Sequence, residues 1–520
     1  MKTILTLVFF VSSFSNAQGI YELNLGLCDS IPNNLYKRSN LKSLTVENGQ
    51  GYCHSPLKVL SGEIRNLKSL ETLVYSYYSS VSKLPTEIKY LKNLKHLTVS
   101  DIIDEIGDIS SLETLSITVI NGKELEDLKR LSFEKLVNLE RLNIWFYGTY
   151  KPGEVDGLFQ DLEVLTTLKH IGLSNINADI LAELPSLQNL ESLSVNGLKG
   201  ELWLEFTGYP KLISLAITGA SDLTEMPISI YSLKDLTKLS ITSTSLASVP
   251  EGISNLKRLK NLDLTFNKIS DLGSDFTQLS QLETLSFGRN FNLKGLPNDI
   301  GNLKNLKRIA LQSCQLNELP ESIVNLSNLE VLSFPTNNIK ILPADWSKLT
   351  KLVRLDAERN KIETIPSSLL KVESLEYLQL GHNCLEGTIF DYNLLTIGGL
   401  RNLKVLDLAY NDLLSLPYDI GSLSQLEDLN IYNNQIRELP ESIGKLGGLK
   451  SLSMSHNQIK KLPKSMRKMR IYEFSLHNND FKSLTSLTDH FPKAKRIWID
   501  QKFEKELSKF SLLAREIYYR

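Results

Sequence analysis

The side chains best suited to contact another molecule are charged and aromatic residues in the second half of the chain. They recur at equivalent places in successive segments and comprise Arg354, Asp356, Glu358, Arg359, Tyr377, Asp407, Tyr410, Asp428 and Tyr432. If these places lie on neighbouring strands, they form one acidic patch with tyrosines beside it. We predict that this patch binds a partner, because tyrosine is a favoured interface anchor. The alternative is a surface that only keeps the protein soluble. A cation between Asp356 and Asp407 is also compatible, although the spacing does not require one.

Aromatic residues also interrupt the first half of the chain, where the equivalent places carry mostly Ser, Thr and Asn. These are Tyr77 and the adjacent pair Trp145 and Phe146. Clustered exposed aromatic groups often mark contact surfaces, so all three are candidate partner-binding residues. The alternative is that the rings pack beneath the longer loops of their own segments. The sequence does not decide between these two interpretations.

No catalytic motif accompanies these residues. The sequence lacks a nucleophile elbow, a zinc motif, a phosphate-binding loop and a kinase signature. The seven histidines, His382 and His456 among them, have no recognisable triad partner. We therefore predict a protein that is not an enzyme and that uses no cofactor and no metal.

The four cysteines divide into two pairs by position. Cys28 and Cys53 precede the regular part of the chain, where a disulfide could fix the N-terminal edge; both the bridged and the free state remain open. Cys314 occupies a place that is asparagine in neighbouring segments, which predicts a buried core residue. Cys384 follows three repeats later, about 14 Å away at ~4.8 Å per strand, so it is too distant to bridge to Cys314.

Leucine-rich segments must position all of these residues. Leu259 to Asn267 reads LKNLDLTFN, with leucine at the first, fourth and sixth places and asparagine at the ninth. Copies begin at Leu282, Leu306, Leu329, Leu352, Leu375, Leu403, Leu426 and Leu449. In a strand with a period of two, the fourth and sixth residues point inward and the alternating ones point outward. Recurrent prolines in the return half suit an irregular or short helical outer side.

The ninth place distinguishes the two halves of the chain. From Leu259 onward it is asparagine in every copy except the one with Cys314, whereas earlier copies have apolar or hydroxyl side chains there. An inward amide offers both donors and an acceptor, so a column of asparagines can satisfy the buried backbone of successive turns. We therefore predict an asparagine ladder in the second half, and a less regular first half with lower protection from hydrogen exchange.

The segments Leu439 to Leu446 (LPESIGKL) and Leu416 to Leu423 (LPYDIGSL) continue into this pattern. They resemble the leucine-rich repeats of the Ras-group and plant disease-resistance type. The resemblance implies an α/β solenoid, a horseshoe or arc with a parallel β-sheet on its concave face and irregular or short helical segments on its convex face. It also implies a macromolecular partner, usually a protein, on the concave sheet. Since the C-terminal flank has no cysteine, the chain looks like a bacterial exported member.

The predicted organisation begins with a signal peptide over residues 1–17, which combines a basic start, an apolar run and small residues before the cut. An N-terminal cap over 18–40, irregular repeats over 41–235 and regular repeats over 236–499 follow. Phe503, Leu507, Phe510, Leu513 and Ile517 recur at three-to-four spacing, which predicts a C-terminal capping helix over 500–520. No later stretch is long and apolar enough for a transmembrane helix.

Charge and organisation together favour protein recognition. Lys and Arg number 58 against 59 Asp and Glu, and the chain has no basic block of the kind that nucleic-acid binding needs. We predict an exported protein–protein interaction module, located in the periplasm, on the cell surface or in the medium. A surface adhesin or structural spacer would share this fold and is the alternative, while an enzyme or effector is less compatible.

Overall fold

The computed structural model describes residues 22–26, 33–47, 60–76, 83–148, 150, 153–200, 205–249, 251–387, 397–483, 493–509 and 514–520. The chain divides into two compact units, Met1–Thr244 and Ser245–Arg520, called here the first and second unit. Each contains a parallel β-sheet whose strands are connected through short helical or irregular segments, which confirms the predicted α/β solenoid. The predicted signal peptide, Cys28, Cys53 and Tyr77 lie outside the described residues.

In the first unit each strand pairs in parallel with the next one along the chain. The strands are β1 Glu22–Gly26, β2 Ser43–Glu47, β3 Thr72–Ser76, β4 His96–Val99, β5 Thr114–Val119, β6 Arg141–Phe146, β7 His170–Ser174, β8 Ser192–Asn196, β9 Ser214–Thr218 and β10 Lys238–Thr242. The return segments contain helices α1 Gly122–Arg130 and α2 Ala178–Ala182, and the 3-10 helices Asn33–Lys37, Gly62–Asn66, Thr86–Tyr90, Asp104–Asp108, Gln160–Val164, Phe206–Gly208 and Ile228–Ser232.

The second unit continues the pattern with strands of two or three residues, except the last three, which have six or seven. They are β11 Asn261–Asp263, β12 Thr284–Ser286, β13 Arg308–Ala310, β14 Val331–Ser333, β15 Arg354–Asp356, β16 Tyr377–Gln379, β17 Glu386–Gly387, β18 Val405–Asp407, β19 Asp412–Leu413, β20 Asp428–Asn430, β21 Ser451–Ser453, β22 Arg470–Ser475, β23 Lys493–Ile499 and β24 Ala514–Tyr519. Strands β17 and β19 pair with each other, and the others form one parallel sheet in chain order.

The return side of the second unit consists of 3-10 helices. They are Ile253–Asn255, Asp275–Gln278, Ile300–Asn302, Glu321–Asn325, Leu369–Lys371, Ile397–Gly399, Ile420–Ser422, Glu441–Lys445, Lys464–Lys468 and Gln501–Lys509. In several repeats a proline directly precedes the helix; Pro320 and Pro440 are the N-cap residues of two of them. Proline fits this position because its missing N–H would be unsatisfied at a helix start in any case.

The core is a column of leucines stacked in register. Leu262 pairs with Leu285, and Leu285 with Ile309 on the following strand. These fourth-place side chains and the sixth-place Leu264 are at most 1 % exposed. The predicted inward direction of the fourth and sixth places is therefore confirmed, and the third, fifth and seventh places face the opposite, solvent side of the sheet.

The predicted asparagine ladder is present in the second unit. The Asn337 amide donates to the carbonyl of Phe334 in its own repeat and to that of Leu311 in the preceding one, both at 2.9 Å. Its Oδ1 accepts the backbone N–H of Leu316 at 3.0 Å. The same three contacts recur at Asn360 and at later ladder asparagines. Each buried amide thus connects two repeats and satisfies backbone groups that water cannot reach.

Cys314 interrupts this ladder. Its thiol is buried and free, as predicted, and contacts the Phe287 carbonyl at 3.4 Å. A thiol cannot replace the amide oxygen, but the local turn compensates, because the Leu293 N–H donates instead to the Asn290 carbonyl at 3.0 Å. The buried backbone therefore remains paired although the side chain differs.

A left-handed residue precedes each ladder position. At the eighth place of successive repeats the backbone has positive φ, in Phe266, Arg289, Ser313, Thr336, Arg359, His382, Tyr410, Asn433, His456 and Asn478. This conformation turns the chain out of the strand and is uncommon for residues other than Gly, Asn and Asp. Because it recurs in every one of these repeats, the architecture requires the turn, while the side chain that occupies it varies.

The C-terminal residues differ from the predicted capping helix. Gln501–Lys509 is a 3-10 helix with Phe503 buried, but Ala514–Tyr519 is a strand that extends the sheet. Ile517 pairs with Ile497, and Tyr518 with Trp498. The helix prediction over 500–520 was wrong for these final residues. Adding a strand gives the edge strand β23 hydrogen-bond partners, and β-branched and aromatic side chains favour that conformation.

Candidate interaction surface

The structure brings the predicted second-half residues together on the solvent side of the second unit's sheet. The register aligns Asp356 with Gln379, Asp407 and Asn430 at the fifth place of four neighbouring strands. At the third place it aligns Arg354, Tyr377, Val405 and Asp428. Glu358, Arg359, Tyr410 and Tyr432 follow in the turns at the strand ends. All of these predicted residues are half-buried or exposed.

The fifth-place carboxylates support the turn that ends each strand. Asp407 Oδ1 accepts the backbone N–H of Ala409 at 2.9 Å, and Asp356 Oδ1 accepts that of Glu358 at 3.3 Å. The other Asp407 oxygen accepts a hydrogen bond from Asn430 Nδ2 at 3.1 Å. Such short-range bonds from Asp or Asn to the following backbone are typical of turns, so part of the role of these residues is structural.

The negative charges on this surface are poorly compensated within the chain. Burial raises the pKa of Asp356 and of Asp428. At Asp356 the hydrogen bonds from the Glu358 N–H and the Ser333 hydroxyl, and to a lesser degree the charge of Arg354, only partly oppose this effect. Within the described ranges, Asp356, Asp407 and Asp428 take part in no ion pair. Glu358, by contrast, pairs with Arg359 at 3.2 Å. Half-buried carboxylates without a cation are a cost to folding and would be relieved by a positively charged partner.

Five aromatic and imidazole rings run beside these carboxylates across successive repeats. This ring row comprises His382, Tyr410, Tyr432, His456 and His477. His382 and Tyr410 are stacked, with centroids 3.9 Å apart and planes 13° from parallel. The following centroid distances are 5.2 Å for Tyr410–Tyr432, 4.8 Å for Tyr432–His456 and 5.2 Å for His456–His477. The row is therefore one continuous set of contacts.

Exposure along the ring row is greatest at Tyr410 and least at His477. Tyr410 is 40 % exposed, whereas His477 is 5 % exposed. Burial lowers the pKa of His477 and raises that of Tyr432, and Arg520 adds a positive charge near both. Asn478 holds His456, with Nδ2 and Nε2 3.0 Å apart. Tyr410 is thus the ring of the row most accessible to a partner.

One hydrogen bond in the row has the form of a nucleophile and a base. Ser455 Oγ lies 2.9 Å from His477 Nδ1. The serine is fully buried, however, at 0 % exposure, so its oxygen cannot reach a substrate on the solvent side of the sheet. The arrangement fits a satisfied pair of buried polar groups.

An arginine already occupies one end of this surface. The Arg354 guanidinium lies 4.4 Å from the centroid of the Tyr377 ring. Its Nη1 donates to Gln379 Oε1 at 3.1 Å. A ring face on one side and a side-chain oxygen on another satisfy both the charge and the planar donors of the guanidinium.

The structure does not support a cation shared by Asp356 and Asp407. Strand β16 lies between their strands, so the two positions are about two strand spacings, ~10 Å, apart. A calcium ligand must approach the ion to ~2.3–2.6 Å. Among the residues that the structure describes, no group of His, Cys, Asp or Glu could hold a metal ion.

The first-unit candidates are only partly supported. Trp145 is half-buried on the solvent side of β6, between Thr118 of β5 and Ser174 of β7. Phe146 is fully buried and packs edge-on against Tyr150, with centroids 5.8 Å apart. The prediction of Phe146 as a partner contact was wrong, because adjacent residues of a strand point to opposite faces.

Sequence analysis missed the histidines as members of the surface, although it identified the tyrosines. His382 and His456 occupy the same eighth place as Tyr410, and His477 the same seventh place as Tyr432. Aligning the repeats by place, rather than searching for catalytic partners of each histidine, would have grouped the five rings. No helix in the described part of the chain is long and apolar enough to cross a bilayer.

A family model described as a leucine-rich repeat region matches residues 23–246, 228–314, 298–390 and 382–490. These matches together cover most of the sequence. No curated protein matches the chain.

Solved structures of similar fold include a leucine-rich repeat protein of Leptospira interrogans. It is 24 % identical with a TM-score of 0.50, and the match covers 94 % of this chain and 100 % of that one. The plant peptide hormone receptor RGFR1 in complex with RGF2 is 20 % identical, with a TM-score of 0.57 and 96 % of each chain covered. The ectodomain of the Arabidopsis receptor kinase HAESA with an IDA peptide hormone is 19 % identical, with a TM-score of 0.52 and 93 % and 86 % covered. At these identities the likeness concerns the fold alone.

Proposed function

Because this chain belongs to the leucine-rich repeat family, we propose that it recognises a protein partner on the solvent side of the second unit's sheet and catalyses no reaction. The ring row is the observation that carries the proposal. Aromatic side chains are the most frequent anchors of protein interfaces. Rings that already pack against one another lose little conformational freedom on binding, which favours affinity.

The backbone conformation of several ring-bearing residues argues against a purely structural role for the ring row. His382 and Tyr410 have φ of +53°, and His456 has φ of +58°. A left-handed conformation costs a residue with a Cβ atom about 1 kcal/mol or more. Asn433 and Asn478, at equivalent places, show that a residue better suited to this turn serves the fold equally well. Three of the five rings, those of His382, Tyr410 and His456, therefore occupy positions where stability alone would favour asparagine or glycine.

The structural relatives support the same kind of function. RGFR1 and the HAESA ectodomain were each solved with a peptide hormone bound. We extend this to the present chain only as a class of partner, a protein or peptide. The signal-peptide pattern of residues 1–17 further supports the proposal that the chain is exported.

A capture experiment with matched variants tests this function. The chain from Gln18 onward is immobilised and exposed to surface and secreted proteins of the source organism, and bound proteins are cross-linked and identified. The test variant combines Tyr410→Asn with Tyr432→Ser. The control is Tyr418→Ser, because Tyr418 is 73 % exposed but lies in a return segment. Melting curves confirm that both variants are folded.

We expect wild type and the Tyr418 control to retain a partner that the double variant loses. A partner retained by all three proteins would move the contact to another surface. Absence of any partner would favour a structural spacer over a recognition module.

A further inference from the structure

We propose that the partner segment recognised by this surface is an extended basic peptide, with an arginine that pairs with Asp407 and contacts the exposed edge of the Tyr410 ring. This inference rests on the proposed function and specifies the chemistry of its partner. Three independent features of the surface lead to it: its uncompensated charge, its small residues beside exposed rings, and an arginine site already formed by the chain itself.

The negative charge of the surface exceeds what its turns require. Asn430 Oδ1 accepts the Tyr432 N–H at 3.2 Å, in the way that Asp407 accepts that of Ala409. An asparagine therefore supports this turn without any charge. The carboxylates of Asp356 and Asp407 add two negative charges that the backbone does not need, and neither has an ion-pair partner among the described residues. Charge complementarity thus points to a cationic occupant.

Small residues lie between the carboxylates and the rings. The seventh places of two adjacent repeats are Gly381 and Ala409, whereas the flanking repeats carry Glu358 and Tyr432. A Cβ atom built on Gly381 would lie 3.2 Å from Asp407 Oδ1, so this glycine borders the carboxylate directly. These two places carry no bulky side chain of the kind that Glu358 and Tyr432 supply in the flanking repeats, so less protein bulk stands beside the Asp407 carboxylate.

The chain itself shows how this face holds a guanidinium. One to two repeats away, Arg354 lies over Tyr377 and donates to Gln379, a residue in register with Asp407. Asp407 and Tyr410 offer a comparable pair, an oxygen acceptor and the exposed edge of a ring whose face is stacked on His382, and the Asp407 carboxylate has no ion-pair partner among the described residues. A charged acceptor makes the stronger hydrogen bond, and arginine matches a carboxylate and a ring face better than lysine does.

The distance between the two carboxylates further restricts the spacing of the arginines in the partner peptide. Asp356 and Asp407 lie two strands apart, which corresponds to ~9.6 Å at ~4.8 Å per strand. In the extended polyproline II conformation, which has three residues per turn and a rise of ~3.1 Å per residue, residues three apart point to the same side and lie ~9.3 Å apart. A segment in this conformation lying across the strands can therefore present both side chains of Arg-x-x-Arg to the two carboxylates.

Fluorescence anisotropy with defined peptides tests this proposal. The probe is fluorescein-labelled Gly-Ser-Arg-Gly-Ser-Arg-Gly-Ser, and the comparison peptide has glutamate in place of both arginines. The test variant is Asp407→Asn, which keeps the turn hydrogen bond as Asn430 does. The matched control is Asp263→Asn, because Asp263 is another half-buried fifth-place residue and accepts the Thr265 N–H at 3.1 Å.

We expect the arginine peptide to bind wild type and the Asp263 control equally, and Asp407→Asn at least fivefold more weakly. Binding should also weaken as salt is raised, because the contact is between charges. The proposal is overturned if the glutamate peptide binds as well, if neither peptide binds, or if Asp407→Asn and Asp263→Asn have the same effect. If capture of a natural partner still requires Tyr410 and Tyr432, only this inference has failed. If capture does not require these tyrosines either, the proposed function is also wrong.

Discussion

The imidazole of His382 lies almost parallel to the Tyr410 ring, with their centroids 3.9 Å apart. The two residues occupy the same place of consecutive repeats, and both have a left-handed backbone. Their contact therefore rigidifies the most exposed part of the surface without any loop or lid. It also holds the exposed edge of the Tyr410 ring in place before a partner arrives.

This relationship predicts that stability and binding can be separated at Tyr410. Tyr410→Asn loses ring contacts worth about 0.5–1.5 kcal/mol but relieves a left-handed strain of about 1 kcal/mol. The free energy of unfolding, measured by urea denaturation, should therefore change by less than about 1 kcal/mol, while partner binding is lost. Phe266→Asn is the control, since Phe266 is an exposed aromatic at the same place outside the ring row. Equal loss of binding in both variants would contradict a specific role for Tyr410.

Because of the ladder hydrogen bonds, removing one buried asparagine amide should lower the free energy of unfolding substantially. Asn337→Ala leaves the Leu316 N–H and two or more carbonyls without the partners they have in the wild type. Because an unsatisfied buried group costs about 1–3 kcal/mol, the free energy of unfolding should fall by about 3 kcal/mol. The adjacent Asn338→Ala, at a half-buried position, should cost less than about 1 kcal/mol. Similar losses from both variants, measured by chemical denaturation, would show that the ladder bonds are not the source of stability.

Replacing the half-buried Asp428 by asparagine should raise the free energy of unfolding, by an amount that depends on pH. Burial raises its pKa in the folded state, so the folded protein holds this proton more tightly than the unfolded chain does. Its contribution to stability is therefore favourable at low pH and is lost as pH rises through the raised pKa. Asp428→Asn should stabilise the protein more at pH 7 than at pH 3.5, as measured by chemical denaturation at both values. The exposed Asp412→Asn serves as the control, and an equal gain there would contradict the burial explanation.

The two cysteines of the second unit should differ sharply in reactivity. Cys314 is buried, and burial raises the pKa of its thiol to about 11, whereas Cys384 is exposed. Since the thiolate is the reactive form, iodoacetamide at neutral pH should label Cys384 rapidly and Cys314 only after denaturation. Peptide mass mapping distinguishes the two sites. Rapid labelling of Cys314 in the folded protein would show that its repeat opens locally.

Much of the architecture could be predicted from the sequence, because every repeat of a solenoid has the same local residue pattern. The inward leucines and the ladder asparagines recur at a fixed spacing, and each must be buried against its own copy in the next repeat. The outward position of Asp407 and Tyr432 followed from the same register. The expected lower hydrogen-exchange protection of the first half stays a prediction, to be checked by comparing strand amides before and after Leu236.

Other features depended on contacts between repeats that no single repeat encodes. Phe146 is a different case, because the period of two that places Leu142 and Ile144 inward also places Phe146 inward, so its burial was readable from the sequence and was overlooked. The strand Ala514–Tyr519 has a helical apolar spacing, yet pairing with β23 supplies hydrogen bonds that an isolated helix would not. The sequence by itself determined the repeat, its core and its ladder, since those depend on local period. Only the tertiary structure decided which outward side chains meet, as His382 and Tyr410 do, because that depends on how neighbouring turns stack.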